Sequence, residues 1–157
     1  MACDATARLY DVDEDTVVFK KLDKTEKYDQ GVVTFRARKG KLIDLDKLHE
    51  SVWATRLSGG TRSGLVSLEV VAVGKLINTQ NGVVLEVEKG KEFILKQNKL
   101  EEHANTFSNL MSSVAGDKKI VKVTGVIDNY HGRWPSLFRK KPDSIRSILV
   151  TNYEVIN

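Results

Sequence analysis

Aromatic and basic side chains alternate between residues 130 and 141, a pattern suited to binding single-stranded nucleic acid. The rings and cations are Tyr130, Arg133, Trp134, Phe138, Arg139, Lys140 and Lys141. From residue 130 to residue 146 there are five basic residues and one acidic residue, so the net charge is +4. Bases stack on such rings while cations meet phosphates. Alternatively, Trp134, Leu137 and Phe138 cover one end of a barrel and the charges are merely solvated, which is the interpretation we favour.

A glycine-rich segment from Ser58 to Gly64 contains Arg62, a further candidate ligand-binding residue. Its backbone N–H groups and the guanidinium could bind a phosphate or another anion. However, the segment follows a predicted helix and enters a predicted strand, the reverse of the order in a P-loop. We therefore favour a connector between helix and strand.

Catalytic and metal-binding patterns are weak. His49-Glu50 and Glu102-His103 are sequence neighbours on predicted helices, so their side chains point in different directions, and we expect both histidines to be exposed. Asp11, Asp13 and Asp15 have the spacing that begins a calcium loop, but the glycine and the closing glutamate are missing. We expect a solvated turn between two short strands, 7–12 and 16–22. The sequence predicts no cofactor, no metal and no catalytic residue, and leaves enzymatic activity undecided but disfavoured.

The composition is that of a soluble globular protein. The 157 residues are 41% hydrophobic and 29% charged, and the formal net charge of +4 permits an anionic ligand. A protein partner and nucleic acid are both compatible with the sequence. No apolar run is long enough to span a membrane. The one cysteine, Cys3, excludes an intramolecular disulfide. A cytoplasmic or an exported location both fit, the latter if Cys3 is the lipid-bearing residue of an envelope lipoprotein.

The chain is organised around residues 65–77, a long apolar run that predicts a strand buried on both faces. Upstream, residues 31–38 alternate as a strand, and Asp44 has the position of an N-cap for a helix that ends near residue 57. These elements predict a β–α–β unit with a parallel, right-handed crossover.

Downstream of residue 77 the pattern changes to hairpins. Asn81-Gly82 and Lys89-Gly90 mark tight turns around strands 82–88 and 91–97. A helix is predicted over 99–115, with Asn98 and Glu101 at capping-box spacing. Two strands follow, 119–127 and 147–156, and Gly125 indicates a bulge or a sharp bend in the first.

This order predicts an α+β fold with an OB-like β-barrel and an N-terminal βα appendage. The domains would be 1–64, with the strands and the βα unit, and 65–157, the barrel that shares the 65–77 strand. A ferredoxin-like β-α-β-β-α-β fold with an extra C-terminal strand is the alternative. We prefer the barrel because the ferredoxin-like order has no place for strand 147–156.

The segment from Val33 to Val73 resembles the first half of a heavy-metal-associated domain, a ferredoxin-like family that transfers metals between proteins. In that family two cysteines lie in the loop between the first strand and the first helix. The corresponding loop here, Lys39 to Asp44, contains no cysteine. The resemblance therefore implies a βα unit without soft-metal chemistry.

Taken together, the sequence predicts a non-catalytic binding or protein-interaction module, with the bacterial cell envelope as one location. The alternative is a protein that binds single-stranded nucleic acid through residues 130–141.

Overall fold

The computed structural model describes residues 9, 11–22, 31–55, 64–80, 82–114, 119–128 and 146–156, without the side chain of Trp53. Within these residues the fold is α+β, as predicted, and consists mostly of strands. The strands form one sheet of two strands and one mixed sheet of five. Two compact units divide the described chain after Leu65.

The first unit contains an antiparallel pair of strands, β1 (Val12–Lys21) and β2 (Gly31–Ala37). The predicted turn at the acidic residues is wrong, because β1 runs through them with an irregularity between Asp13 and Val18. Thr16 stabilises this irregularity. Its Oγ1 donates to the Asp13 carbonyl at 2.7 Å and accepts from the Arg36 N–H at 2.9 Å, so a side chain replaces ladder hydrogen bonds there.

Helix α1 spans Leu45–Ala54 and begins at the predicted N-cap. The Asp44 carboxylate accepts from the N–H groups of Asp46 at 3.0 Å and Lys47 at 3.1 Å. The prediction of an exposed His49 is wrong, since this side chain is only 5% exposed. The reason is helical spacing: His49 precedes buried Val52 by three residues and so lies on the same face.

The second unit is the five-stranded sheet with a short helix. Its elements are β3 (Glu69–Thr79), β4 (Gly82–Glu88), β5 (Lys91–Gln97), a 3-10 turn (Glu101–His103), α2 (Thr106–Ser113), β6 (Ile120–Ile127) and β7 (Arg146–Ile156). The predicted strands 82–88 and 91–97 are confirmed. The predicted helix 99–115 is shorter and broken, because Asn98 Oδ1 accepts from the Leu100 N–H at 2.9 Å and the chain first makes the 3-10 turn.

Each strand of this sheet has two ladder partners. The pairing order is β3-β4-β5-β7-β6, and β6 pairs again with β3. All pairs are antiparallel except β5 with β7, which is parallel. Helix α2 lies between β5 and β6 in sequence, and the Ser113 and Tyr153 hydroxyls, 3.1 Å apart, join it to β7.

The predicted parallel crossover is wrong. Among the described residues β2 pairs with β1, whereas β3 pairs with β4 and β6, so the strands on either side of α1 belong to different sheets. The ferredoxin-like alternative needs both strands in one sheet and is therefore also wrong.

Strand β3 is not buried on both faces as predicted. Ala72, Gly74 and Leu76 face the interior, whereas Val71 is 59% exposed and Val73 is 45% exposed. The run misleads because β-branched residues suit a strand whether or not their side chains are covered.

The predicted bulge at Gly125 is confirmed by a register shift between β6 and β7 at this position. A Cβ at Gly125 would lie 2.4 Å from the Leu149 carbonyl oxygen. Glycine is therefore required where the bulged strand approaches its neighbour.

Candidate functional site

The residues predicted to bind a ligand lie outside the described part of the chain. They are Arg62, Tyr130, Arg133, Trp134, Phe138, Arg139, Lys140 and Lys141. The described structure instead defines where the segment 129–145 begins and ends.

Both ends of this segment lie beside β5. At the first end, the Asp128 N–H donates to the Ser147 carbonyl at 2.9 Å, and the Asp128 carboxylate lies 3.3 Å from Lys96 Nζ. At the second end, Arg146 is the ladder partner of Phe93. The two residues that flank the segment, Asp128 and Arg146, therefore lie close together, at the end of the sheet where β5 and β7 begin to pair.

From this place a row of side chains crosses the outer surface of the sheet. Cross-strand partners point to the same face, and the ladder registers align Ile77 with Val84, Val84 with Ile94, and Ile94 with Ser147. We call this row, together with the adjacent charged row of Lys75, Glu86 and Glu92, the β4–β5 face.

The centre of the β4–β5 face is covered. Val84 points outward but is only 3% exposed, and Ile77 and Ile94 on either side are half-buried. Leu85, the next residue, points inward and is also buried. Strand β4 therefore has apolar contacts on both faces at this position, which is unusual for a sheet with one solvated face.

The adjacent row is charged and mainly acidic. Lys75 is the ladder partner of Glu86, which is in turn the partner of Glu92. The nearby turn adds Glu88 and Lys91, which form an ion pair with 3.2 Å between Glu88 Oε2 and Lys91 Nζ. An apolar row beside carboxylates suits a ligand with apolar and cationic groups and repels phosphate.

The interior of the sheet is filled by aliphatic side chains. Leu85, Leu95, Ile148 and Val150 are almost fully buried there, with Leu110 of α2. Among the described residues, this side of the sheet is therefore filled by the protein's own side chains, and the outer surface is the candidate for binding a ligand.

The first unit has a small pocket of about 100 Å³ lined by Leu9, Asp11, Ile43, Asp44 and Lys47. It is smaller than a typical ligand pocket of roughly 300–1,000 Å³. Asp44, moreover, is already engaged as the N-cap.

Within the described ranges, no three His, Cys, Asp or Glu side chains are grouped so that they could hold a metal ion. None of the helices there is long and apolar enough to cross a membrane.

Sequence reasoning missed the β4–β5 face. The available signal was the period of two, since Val84 and Glu86 lie two residues apart, as do Glu92 and Ile94. Such a period shows which residues share a face but not which face of the strand points inward. Comparisons of the chain with protein-family models, curated proteins and solved structures give no match.

Proposed function

We propose that the chain is a non-catalytic module that binds a protein partner through an OB-like β-barrel formed by its C-terminal half. The order of elements supports that fold assignment, since three strands are followed by a helix and two more strands. The pairing supports it as well, because each strand has two ladder partners. In such a barrel the surface of the second and third strands is the usual binding face, which here is the β4–β5 face.

One observation carries the proposal: Ile77, Val84 and Ile94 form an apolar outward row, and the neighbouring row carries the carboxylates of Glu86 and Glu92 beside Lys75. Proteins that bind nucleic acid on this face place aromatic rings there for stacking. Here the outward residues of β4 and β5 are aliphatic at Val84 and Ile94 and acidic at Glu86 and Glu92, and the one cation, Lys96, has Asp128 as an ion-pair partner at 3.3 Å. This composition fits a protein segment with apolar side chains flanked by lysine or arginine.

A photoreactive phenylalanine analogue at Glu92 tests the proposal in cells that make the protein natively. We expect one adduct of defined mass that contains a second protein, and we expect Glu86→Lys to remove it by placing a like charge opposite the cationic partner. Lys39→Glu, which changes charge at an exposed residue of the first unit, is the matched control and should leave the adduct unchanged. No adduct from Glu92, or the same adduct from exposed Asn109 on α2, would contradict the proposal.

A second candidate function is the binding of single-stranded nucleic acid by residues 130–141. It is favoured by the net charge of +4 over residues 130–146 and by the position of Asp128, whose N–H donates to Ser147 at the end of the outward row. We expect micromolar or weaker affinity that falls steeply with salt, because phosphate contacts release counterions. Fluorescence anisotropy with a labelled single strand at low salt measures this affinity, and Lys140→Glu with Lys141→Glu should abolish it. No change in anisotropy for the unaltered protein would exclude this function.

A further inference from the structure

Strand β3 has an incompletely paired edge. Residues Glu69 to Lys75 pair with β6 on one side. On the other side the ladder with β4 begins only at Lys75, so within the described chain no strand pairs with the Glu69–Val73 edge. An unpaired strand edge presents N–H and C=O groups that can pair with another chain.

The side chains along this edge are exposed and carry opposite charges at their two ends. Glu69, Val71, Val73 and Lys75 all point outward. Val71 and Val73 are exposed valines at the centre of this edge. The acidic Glu69 lies six positions before the basic Lys75. An antiparallel copy of the same segment reverses this order and is therefore complementary in charge.

We propose that a second copy of this chain pairs with β3 across a two-fold axis at Val71. The register that uses the whole five-residue edge aligns Val71 with Val71 and Glu69 with Val73 of the second copy. In this register Glu69 lies diagonal to Lys75 of the second copy, within reach of long side chains. The symmetry repeats each contact, which gives two ion pairs around a central valine contact.

The dimer is weak by this geometry. A five-residue edge with two exposed valines buries less than the roughly 800 Å² per partner of a standard interface. We therefore expect a dissociation constant in roughly the micromolar to millimolar range. Lys75 belongs to both the dimer contact and the β4–β5 face, whereas Glu69 and Val71 belong only to the dimer contact. Glu69→Lys and Val71→Lys therefore distinguish loss of the dimer from loss of the proposed protein partner.

Sedimentation velocity of the whole chain between roughly 10 µM and 1 mM tests the dimer. We expect Glu69→Lys alone and Lys75→Glu alone to weaken self-association at least about tenfold, because each places like charges together across the axis. An equimolar mixture of these two variants should form a heterodimer as readily as the unaltered protein dimerises. The double variant should also dimerise.

Val71→Lys provides a second test that does not depend on either charged residue. Its position is exposed, so the fold should tolerate it, but two cations would meet at the axis and self-association should be lost. The exchange Glu88→Lys with Lys91→Glu, in the exposed pair of the β4–β5 turn, is the control and should leave self-association unchanged. A monomer at every concentration would overturn the proposal. So would a dimer that survives Val71→Lys, or a mixture of the single variants that fails to associate.

Discussion

Val84 and Leu85 are neighbours in β4 and point to opposite faces of the sheet, yet both side chains are buried, at 3% and 0% exposure. Leu85 contributes to the interior of the sheet. Val84 is buried on the outer surface, between Ile77 and Ile94. Val84 is therefore expected to contribute to stability although it points outward, whereas Glu86 on the same surface is half-buried and Glu88 is exposed.

Truncation should show that both faces of β4 are stabilising. We expect Leu85→Ala to lower the free energy of unfolding by about 3–4 kcal/mol, and Val84→Ala by about 2 kcal/mol, since each removes buried methyl groups. Urea unfolding at low protein concentration measures both values. Val71→Ala, at an exposed position of β3, should cost less than about 0.5 kcal/mol. A Val84→Ala variant as stable as Val71→Ala would mean that the outer contacts are not stabilising.

Glycine is required where two strands approach each other most closely. A Cβ at Gly125 or at Gly74 would lie 2.4 Å from a backbone carbonyl oxygen, that of Leu149 or that of Glu86. Backbone cannot move aside as a flexible side chain can, so we expect either alanine substitution to cost about 3 kcal/mol.

The control for these glycines is Gly64→Ala. A Cβ at Gly64 would have no atom of the described residues within 4 Å, so thermal unfolding of this variant should match that of the unaltered protein. Equal melting temperatures for all three variants would contradict the close approach of the strands.

The N-cap of α1 should be measurable on its own. Asp44→Ala removes the acceptor of two backbone N–H groups and should cost about 1 kcal/mol, whereas Asp44→Asn keeps an acceptor and should cost less. Hydrogen exchange of the amides of α1 reads out this change. If the alanine and asparagine variants exchange equally fast, the side chain is not acting as a cap.

The hydroxyl contact between Ser113 and Tyr153 should hold α2 on β7. We expect Tyr153→Phe to cost about 1 kcal/mol, and the double variant with Ser113→Ala to cost less than the sum of the single changes. Ser112→Ala is the matched control, because among the described residues the Ser112 hydroxyl donates to the Ser108 carbonyl of the same helix and not to β7. Additive losses in denaturant unfolding would show that the two hydroxyls do not interact energetically.

Local sequence signals predicted the hairpins, the Asp44 cap and the Gly125 bulge, because each depends on residues close together in the chain. The partners of β3 could not be predicted in this way. Whether residues 69–79 pair with β2 or with β6 is decided by contacts across some fifty positions, and apolar periodicity is the same in both cases.

The candidate site was only partly accessible from sequence for the same reason. The aromatic and basic residues at 130–141 can be recognised in the amino-acid sequence. The outward row can be recognised only after four strands have paired; its members are Ile77, Val84, Ile94 and Ser147. The burial of His49 depends on how much of the helix surface beside Leu48 and Val52 is covered, which becomes known only when the helix has packed.

The parallel pairing of β5 with β7 has a consequence for biosynthesis. Residues 91–97 leave the ribosome some fifty residues before residues 146–156, and in the meantime β5 lacks one of its two neighbours. The β5–β7 ladder cannot form until that late strand has emerged, so folding of this sheet depends on slow, long-range loop closure. Until then the nascent chain exposes an aggregation-prone strand edge, and a holdase chaperone that shields β5 should raise the yield of folded protein.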